Sequence, residues 1–300
     1  MSSRGWLLFI AMSIIWGIPY LMIKVAVEGV SVPVLVLART AVGAAVLLPL
    51  ALSRDAWAPI RKHWKPLVTF AFFEIIAAWW LLSDAERHLT SSMTGLLIAA
   101  SPIIAAVLDR FTGGERRLGF RRILGLGIGL AGVAILAGPD LNGGSTWPVI
   151  EVLLVATCYA IAPLIAARYL TDVPTLPMTA ACLGFAALVY AAPAAATWPD
   201  EMPSTQVLLA LAGLAVICTA LAFIVFFALI REVGAARALV FTYINPAVAL
   251  AAGVIVLGEP LTPGNVAALA LILAGSILAT RRSDQPAPDI TTEPTRVAPR

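Results

Sequence analysis

The sequence predicts an all-α integral membrane protein with ten transmembrane helices, and its composition and charge pattern carry this prediction. Apolar residues make up 60% of the chain and charged residues only 12%, and the mean hydropathy is +0.94. A soluble domain instead carries roughly 25% charged residues. Stretches such as 89–108, 202–230 and 238–258 contain no charge, and each has about the 20 residues that a helix needs to cross a hydrocarbon layer of ~30 Å. The bilayer is therefore the expected solvent.

Prolines, glycines and charges divide the chain into apolar spans whose connections are too short for a soluble domain. The first span is too long for a removable signal peptide, so we expect it to be retained. The polar, proline-rich residues 282–300 predict a disordered cytoplasmic tail. The predicted spans are 5–27, 33–53, 66–84, 91–112, 120–138, 149–169, 175–197, 206–230, 236–257 and 263–281.

Lysine and arginine collect in alternate connections between these spans. The intervening connections offer only Arg87 and, at a helix end, Lys24. Because the cytoplasmic loops of membrane proteins carry the excess of lysine and arginine, we expect both termini on the cytoplasmic side of the cytoplasmic (inner) membrane. The basic residues of that side are Arg54, Arg61, Lys62, Lys65, Arg110, Arg116, Arg117, Arg121, Arg122, Arg168, Arg231, Arg237, Arg281 and Arg282.

The two halves of the chain share one skeleton at a constant offset of 144 residues. Pro102 and Pro246 each follow a small polar residue. Glu115 follows Pro102 at the same number of residues as Glu259 follows Pro246. Five spans per half is an odd number, so the second copy enters the membrane from the opposite face. We therefore expect two inverted-topology repeats, 5–138 and 149–281, an arrangement typical of secondary transporters. The same offset joins Pro19 to Pro163, Lys24 to Arg168, Glu28 to Asp172, Pro33 to Pro177 and Pro49 to Pro193.

These features resemble the drug/metabolite transporter superfamily, in its ten-helix EamA-like branch. The resemblance covers about residues 5–280 and lies in "IIWGIPYLMIK" of the first span, "LART" of the second, and the paired runs "SP…GGERRLG…GIGLAGVAIL" and "NP…LGEPLTPGN…LILAGSIL". It implies a transporter of a small metabolite, amino acid or drug-like solute. The resemblance also implies alternating access and, from the family alone, export.

The chain contains no P-loop, H-E-x-x-H or G-x-S-x-G motif, so it predicts neither ATP-driven pumping nor hydrolysis. We expect no enzyme activity, cofactor, metal site or nucleic-acid partner. Two alternatives remain open, namely a membrane enzyme acting on a lipid-linked substrate and a scaffold without transport. The enzyme is disfavoured because the only two histidines, His63 and His88, fall in loops on opposite sides.

Three ionisable residues lie within or near apolar spans, where each costs roughly 2.5–3.5 kcal/mol at the helix centre. Arg39 either lines a cavity that binds a carboxylate or snorkels to the outer interface. Lys24 lies closer to its helix end, which favours snorkelling. Glu74 is a candidate for proton coupling, for lining a cavity, or for a structural hydrogen bond.

Aromatic and polar residues inside the spans form a second group of candidates. Their rings can bind an amphiphilic or cationic solute, although core packing is the alternative for each of them. Ser101 and Asn245 precede paired prolines, so they either contact substrate or satisfy the carbonyls that the prolines leave free. The predicted substrate-cavity residues are Trp16, Arg39, Glu74, Trp79, Ser101, Tyr159, Tyr243 and Asn245.

Paired prolines and glutamates mark architectural positions of the repeats. Pro19, Pro102, Pro163 and Pro246 should bend their helices and act as hinges. Glu115 and Glu259 lie at the turns between paired helices, where we expect helix-end capping or gate packing.

Two further patterns have structural interpretations. The run "GIGLAG" matches a dinucleotide-binding fingerprint, but it lies in an apolar helix without a βαβ unit. Gly125 and Gly129 in this region instead predict close helix packing. The three cysteines, Cys158, Cys182 and Cys218, are interpreted as small buried hydrophobic residues.

Overall fold

A computed structural model describes residues 1–51, 54–111, 120–143 and 146–280, and this part of the chain is helical with no strand. The predicted tail, 282–300, lies outside it. Seven helices are long and apolar enough to cross a membrane, namely α1 (Ser3–Ala26), α2 (Val32–Leu50), α3 (Trp64–Ala85), α4 (Ser91–Leu108), α6 (Thr146–Tyr169), α7 (Thr175–Ala196) and α8 (Thr205–Val233). Three helices with shorter apolar stretches are α5 (Phe120–Gly143), α9 (Asn245–Leu257) and α10 (Pro263–Thr280). The all-helical membrane architecture is confirmed, while ten crossings stay a prediction.

Hydroxyl side chains cap the start of several of these helices. Ser31, Thr90 and Ser204 precede α2, α4 and α8, and each accepts a hydrogen bond from the backbone N–H three residues later. Such caps satisfy donors that have no partner inside the helix. At the other end of α9, Gly258 adopts the left-handed conformation with φ 65°, which terminates the helix at a position that favours glycine.

Helices α1 and α4 are both interrupted in front of a proline. α1 breaks at 16–18 and resumes at Pro19, and α4 breaks at 99–100 before Pro102, the second residue of the next helical segment. Proline has no N–H to continue the helical ladder. The two breaks therefore lie where the sequence predicts bends.

The second repeat follows this pattern only in part. A 3₁₀ turn, Leu239–Tyr243, precedes α9, whose second residue is Pro246. Pro163, in contrast, lies inside α6, which is helical without interruption. Helix α6 is thus unbroken at the position equivalent to the break of α1, and a hinge at Pro163 stays a prediction.

Helices α3 and α8 both contain a π-helical segment, at Phe72–Ala77 and Gly213–Leu221. The offset of 144 residues maps the first segment onto 216–221, which lies inside the second. π-Helical turns are rare and frequently occur at functional sites. The two repeats therefore carry the same irregularity at equivalent positions.

Contacts between the two halves are reciprocal. α2 packs on α7, α4 on α9 and α5 on α10, while α1 packs on α8 and α3 on α6. Exchanging the first five helices with the last five leaves this set of pairs unchanged. The largest buried apolar cluster draws side chains from α1, α2, α3, α6, α7 and α8, so the main core lies between the two repeats.

The α5–α10 pair shows why the glycine run is helical and packed. A Cβ atom added to Gly125 would lie 2.6 Å from the backbone nitrogen of Ala279, and one added to Gly275 would lie 2.6 Å from the Gly125 carbonyl oxygen. Real Cβ atoms do not approach so closely, so the helices need glycine at both positions. This geometry supports the packing interpretation of the run and gives no support to a nucleotide site.

Candidate substrate-binding site

Arg39 lies in the interior, where helices of both repeats meet. Its side chain is 5% exposed, and its guanidinium carbon lies 3.9 Å from the centroid of the Trp79 ring on α3. Its Nε atom donates a hydrogen bond to the hydroxyl of Thr219 on α8 at 3.4 Å. Stacking on an aromatic face is a favourable environment for a guanidinium. The side chain is thus enclosed by protein instead of snorkelling to an interface.

Most of the hydrogen-bonding capacity of Arg39 is unused. A guanidinium has five N–H donors, and within the described residues only its Nε has a partner. The ion pairs of that part of the chain are Arg4 with Glu232 and Arg87 with Asp84, so no carboxylate neutralises Arg39 there. A buried charge without a partner is costly. The remaining N–H groups of this guanidinium are chemically suited to an anionic acceptor.

The π-helical segment of α8 positions Thr219 for this contact. The Thr219 hydroxyl donates to the carbonyl of Leu214, five residues earlier, at 2.8 Å. Because the Thr219 O–H points to Leu214, its oxygen is left to accept the hydrogen bond from the Nε of Arg39. Cys218, the preceding residue, also lies near Arg39. The irregular segment of α8 thus orients one side of the site.

Glu74 lies in the equivalent π-helical segment of α3. It is partly exposed, and Cys158 and Tyr159 on α6 and Cys182 on α7 lie near it. Tyr159 lies near both Glu74 and Arg39. Within the described residues Glu74 forms no hydrogen bond or ion pair, and the two charges do not form a salt bridge.

Sequence reasoning missed Tyr20 and Thr219. Tyr20 on α1 is buried and lies near Arg39 and Tyr159. A threonine or tyrosine in an apolar span is common, so neither attracts notice alone. The repeat offset of 144 residues was the one sequence feature that could have pointed to Thr219, since it makes Thr219 equivalent to Ile75, the neighbour of Glu74.

Trp16 belongs to a different cluster. Its ring centroid lies 5.1 Å from that of Phe226, 5.4 Å from Phe241 and 5.7 Å from Phe223. Tyr243 is half-buried in the turn before α9. The structure therefore does not bring Trp16 to Arg39, and substrate contact by Trp16 and Tyr243 stays a prediction.

Ser101 satisfies a carbonyl at the break of α4. Its hydroxyl donates to the carbonyl of Ile98 at 2.6 Å. In a continuous helix this carbonyl would accept from residue 102, which is a proline. On α10, Ser276 donates to the adjacent carbonyl of Ala99 at 3.2 Å. The structure favours the backbone role of Ser101 over substrate contact.

Asn245 plays a similar part where α1 meets α9. With its amide oriented to donate, the nitrogen lies 3.1 Å from the Ser13 carbonyl and 3.2 Å from the Phe241 carbonyl. The break of α1 frees the Ser13 carbonyl, because the Gly17 N–H bonds to Ile14 instead. Asn245 thus joins the interruptions of two helices from different repeats.

Glu259 caps a helix of the opposite repeat. The backbone N–H of Ser91 donates to one carboxylate oxygen at 2.7 Å, and the N–H of Ser92 donates to the other at 2.9 Å. The Ser92 hydroxyl donates to the same carboxylate oxygen that accepts from the Ser92 N–H. We call Glu259, Ser91 and Ser92 the Glu259 clamp. Capping is therefore observed for Glu259, whereas Glu115 lies outside the described residues.

A surface groove of about 540 Å³ lies on another face of α2. Residues of α2, α8 and the α7–α8 connection form it, including Val34, Ala38, Trp198 and Leu208. Neither Arg39 nor Glu74 lines this groove. It is therefore separate from the site around Arg39.

Comparison with known proteins agrees with this architecture. The profile of the EamA-like transporter family matches residues 3–138 and again residues 146–281. An uncharacterized inner membrane transporter of Escherichia coli (strain K12) is 28% identical, over 90% of this chain and 88% of the relative. An uncharacterized transporter of Bacillus subtilis (strain 168) is 25% identical, over 94% of this chain and 93% of the relative.

Two further similarities extend along nearly the whole chain. A protein of Streptantibioticus cattleyicolor named "Probable terminal-alkyne amino-acid exporter" is 26% identical, over 94% of this chain and 95% of that protein. A solved crystal structure with 21% identity superposes with a TM-score of 0.65 over 93% of this chain and 98% of the other. At this identity the superposition shows the fold alone. With two family matches that together span most of its length, this multi-pass membrane protein belongs to the EamA-like transporter family.

Proposed function

We propose that the protein is a secondary transporter of the cytoplasmic membrane that exports a small solute with a carboxylate, such as an amino acid. All ten helices cross the membrane, both termini are cytoplasmic, and the two repeats have inverted topology. Alternating access of the site around Arg39 moves the solute. The proposal depends chiefly on one observation, the buried and unneutralised guanidinium of Arg39 between the repeats.

The surroundings of Arg39 suit an amphiphilic anion. A carboxylate would accept hydrogen bonds from the guanidinium nitrogens that have no partner in the described part of the chain. The Trp79 ring fixes the plane of the guanidinium from one side. Glu74 and the Tyr159 hydroxyl offer acceptors for an amino group, and Glu74 is also the candidate for proton coupling. Together these groups match the two charges of an amino acid.

The reciprocal packing supports the inverted repeats. Each helix pair maps onto itself or onto another pair when the repeats are exchanged, as a two-fold relation requires. The π-helical segments occupy equivalent positions in α3 and α8. An odd number of crossings per repeat then gives the two copies opposite orientations in the membrane.

The interrupted helices supply the movable parts. The breaks of α1 and α4 and the turn before α9 divide these helices into segments that can tilt separately. Broken helices near the midplane are typical of secondary transporters. Export as the direction is supported by the exporter named above, and the amino-acid class agrees with its name.

The test compares amino acids with their carboxamides, which keep the amino group and side chain but lose the carboxylate charge. Purified protein is screened by thermal shift, and solutes that bind are measured for flux in proteoliposomes. We expect acids to bind and amides to fail. Arg39→Gln should weaken acid binding by about 10- to 100-fold, because hydrogen bonds to charged groups contribute about 1.5–3 kcal/mol.

Arg87→Gln is the matched control, since Arg87 is exposed and already paired with Asp84. Wild-type affinity in Arg39→Gln, or equal binding of acids and amides, would refute the role of Arg39. Absence of flux for every solute that binds would refute transport itself. That result would favour a scaffold or a membrane enzyme.

A further inference from the structure

Glu86 is a fully buried acid that the proposed transport site does not use. It follows Ala85, the last residue of α3, and its exposed fraction is 0%. Within the described residues neither carboxyl oxygen has a hydrogen-bond partner, and no ion pair includes Glu86. An ionised carboxylate in such surroundings is very costly. The arrangement therefore favours the neutral carboxylic acid.

Two charged groups and one phenol face Glu86. Lys24 on α1 donates to the carbonyls of Glu86 and Leu89 at 2.7 and 2.8 Å, so its ammonium group caps α3 instead of pairing with the carboxyl group. Glu259, from the α9–α10 turn, and Tyr20 on α1 also lie near Glu86. Burial raises the pKa of Glu86 well above its usual value, Lys24 lowers it and Glu259 raises it further.

The neighbours of Glu86 along its own chain do not neutralise it. Asp84 and Arg87 form an ion pair with each other at 3.6 Å, and His88 is exposed. Helix α4 presents Ser91, whose buried hydroxyl has no partner among the described residues. Glu259 is the other carboxyl group near α4, and it accepts three hydrogen bonds in the Glu259 clamp. A single proton available to Glu86 and Glu259 therefore binds to Glu86.

We propose that Glu86 is a proton-binding site that keeps the outer end of the helix bundle closed. The inference rests on the proposed function, because alternating access requires this end to open. Opening separates the α9–α10 turn from α4 and admits water to Glu86. The O–H bond of the acid then breaks, the proton passes to the outer solution, and the carboxylate stays behind in water. Closing requires the reverse step.

The direction of the pH effect follows from linkage. The closed end holds one more proton than the open end, so protons favour closure. Closure is fully favoured below the pKa that Glu86 has in the open state. It is lost as the pH rises through the higher pKa of the closed state. An acidic outer solution should therefore hold this end shut, and a more alkaline one should release it.

The test measures the closure of this end directly and without substrate. Spin labels replace His88 and Leu261, both exposed, and report the distance between the α3–α4 loop and the α9–α10 turn in nanodiscs. Pulsed electron resonance then gives the closed and open populations from pH 5 to pH 9. The three native cysteines are buried, and the chain without added cysteines serves as the labelling control.

We expect the closed-to-open ratio of the wild type to fall by up to about tenfold per pH unit near the transition. Glu86→Gln, which imitates the protonated acid, should stay closed and change less than about twofold over the range. Lys24→Gln keeps a donor but removes the charge that favours ionised Glu86, so its transition should move to higher pH. Glu28→Gln, a change of an exposed carboxylate in the α1–α2 connection, is the matched control and should follow the wild type.

A wild-type ratio that is constant with pH, or Glu86→Gln with the wild-type transition, would overturn the proposal. A transition of Lys24→Gln at lower or unchanged pH would also overturn it, and this variant decides the matter if Glu86→Gln does not fold. Flux measured in parallel separates the two proposals. Transport without pH-dependent closure refutes the proton site alone, and pH-dependent closure without transport refutes the transport function alone.

Discussion

The Glu259 clamp makes a quantitative prediction about the first turn of α4. Glu259→Ala removes the acceptor of two backbone N–H groups and of the Ser92 hydroxyl. Hydrogen bonds to a charged group contribute about 1.5–3 kcal/mol each. Water replaces part of this loss, and Thr90 still caps the helix. We therefore expect the opening free energy of the first turn of α4 to fall by about 2–4 kcal/mol.

Hydrogen exchange followed by mass spectrometry measures this quantity in nanodiscs. Since 1.4 kcal/mol corresponds to a factor of ten, the amides of Ser91 and Ser92 should exchange about 30- to 700-fold faster in Glu259→Ala. Glu201→Ala is the control, because Glu201 is an exposed acid in the α7–α8 connection. Unchanged exchange at Ser91 and Ser92 would refute the capping argument. Equal acceleration in both variants would indicate a nonspecific charge effect.

The remaining predictions concern helix packing and backbone satisfaction. Gly275→Ala should destabilise the protein by about 1–3 kcal/mol through overpacking, because its Cβ atom would meet the backbone of α5. The Cβ atom added in Gly127→Ala contacts nothing within 4 Å, so this variant should be neutral or stabilised by up to about 1 kcal/mol. Equal midpoints of thermal unfolding for Gly275→Ala and Gly127→Ala would contradict the packing interpretation. Ser101→Ala leaves the Ile98 carbonyl without its donor and should cost about 1–3 kcal/mol. A midpoint of unfolding equal to that of the wild type would show that water replaces the hydroxyl.

The sequence predicts the helices well because the bilayer imposes length and apolarity on each of them. Arg39 and Glu74 could be identified as candidate site residues from the sequence, since ionisable groups are costly in apolar spans. The contact of Arg39 with Trp79 and Thr219 could not be predicted, because it depends on how α2, α3 and α8 pack together. Hydropathy gives no information on which faces of these helices meet.

Residues with two plausible roles were separated only by geometry. Ser101 and Asn245 have the hydrogen-bonding groups to contact substrate, but the structure places them on carbonyls at helix interruptions. Trp16 lies in the middle of its span, yet its neighbours are three phenylalanines of the second repeat. Composition and spacing cannot distinguish a ring in a packed cluster from a ring in a binding site.

The sequence also differs between the start of α4 and the equivalent residues ahead of α9. The offset of 144 residues places Ala235 and Ala236 where the first repeat has Ser91 and Ser92. Alanine offers only its backbone N–H, so the hydroxyl that Ser92 adds to the Glu259 clamp has no equivalent at the other end. Thr90 likewise corresponds to Gly234, which has a φ of 82° and no side chain to cap a helix. If the two ends close by equivalent contacts, closure at the Glu259 end is the more stable of the two. Under the proposed transport function, this difference favours the inward-facing state of the empty protein, in which a cytoplasmic solute would reach the site around Arg39.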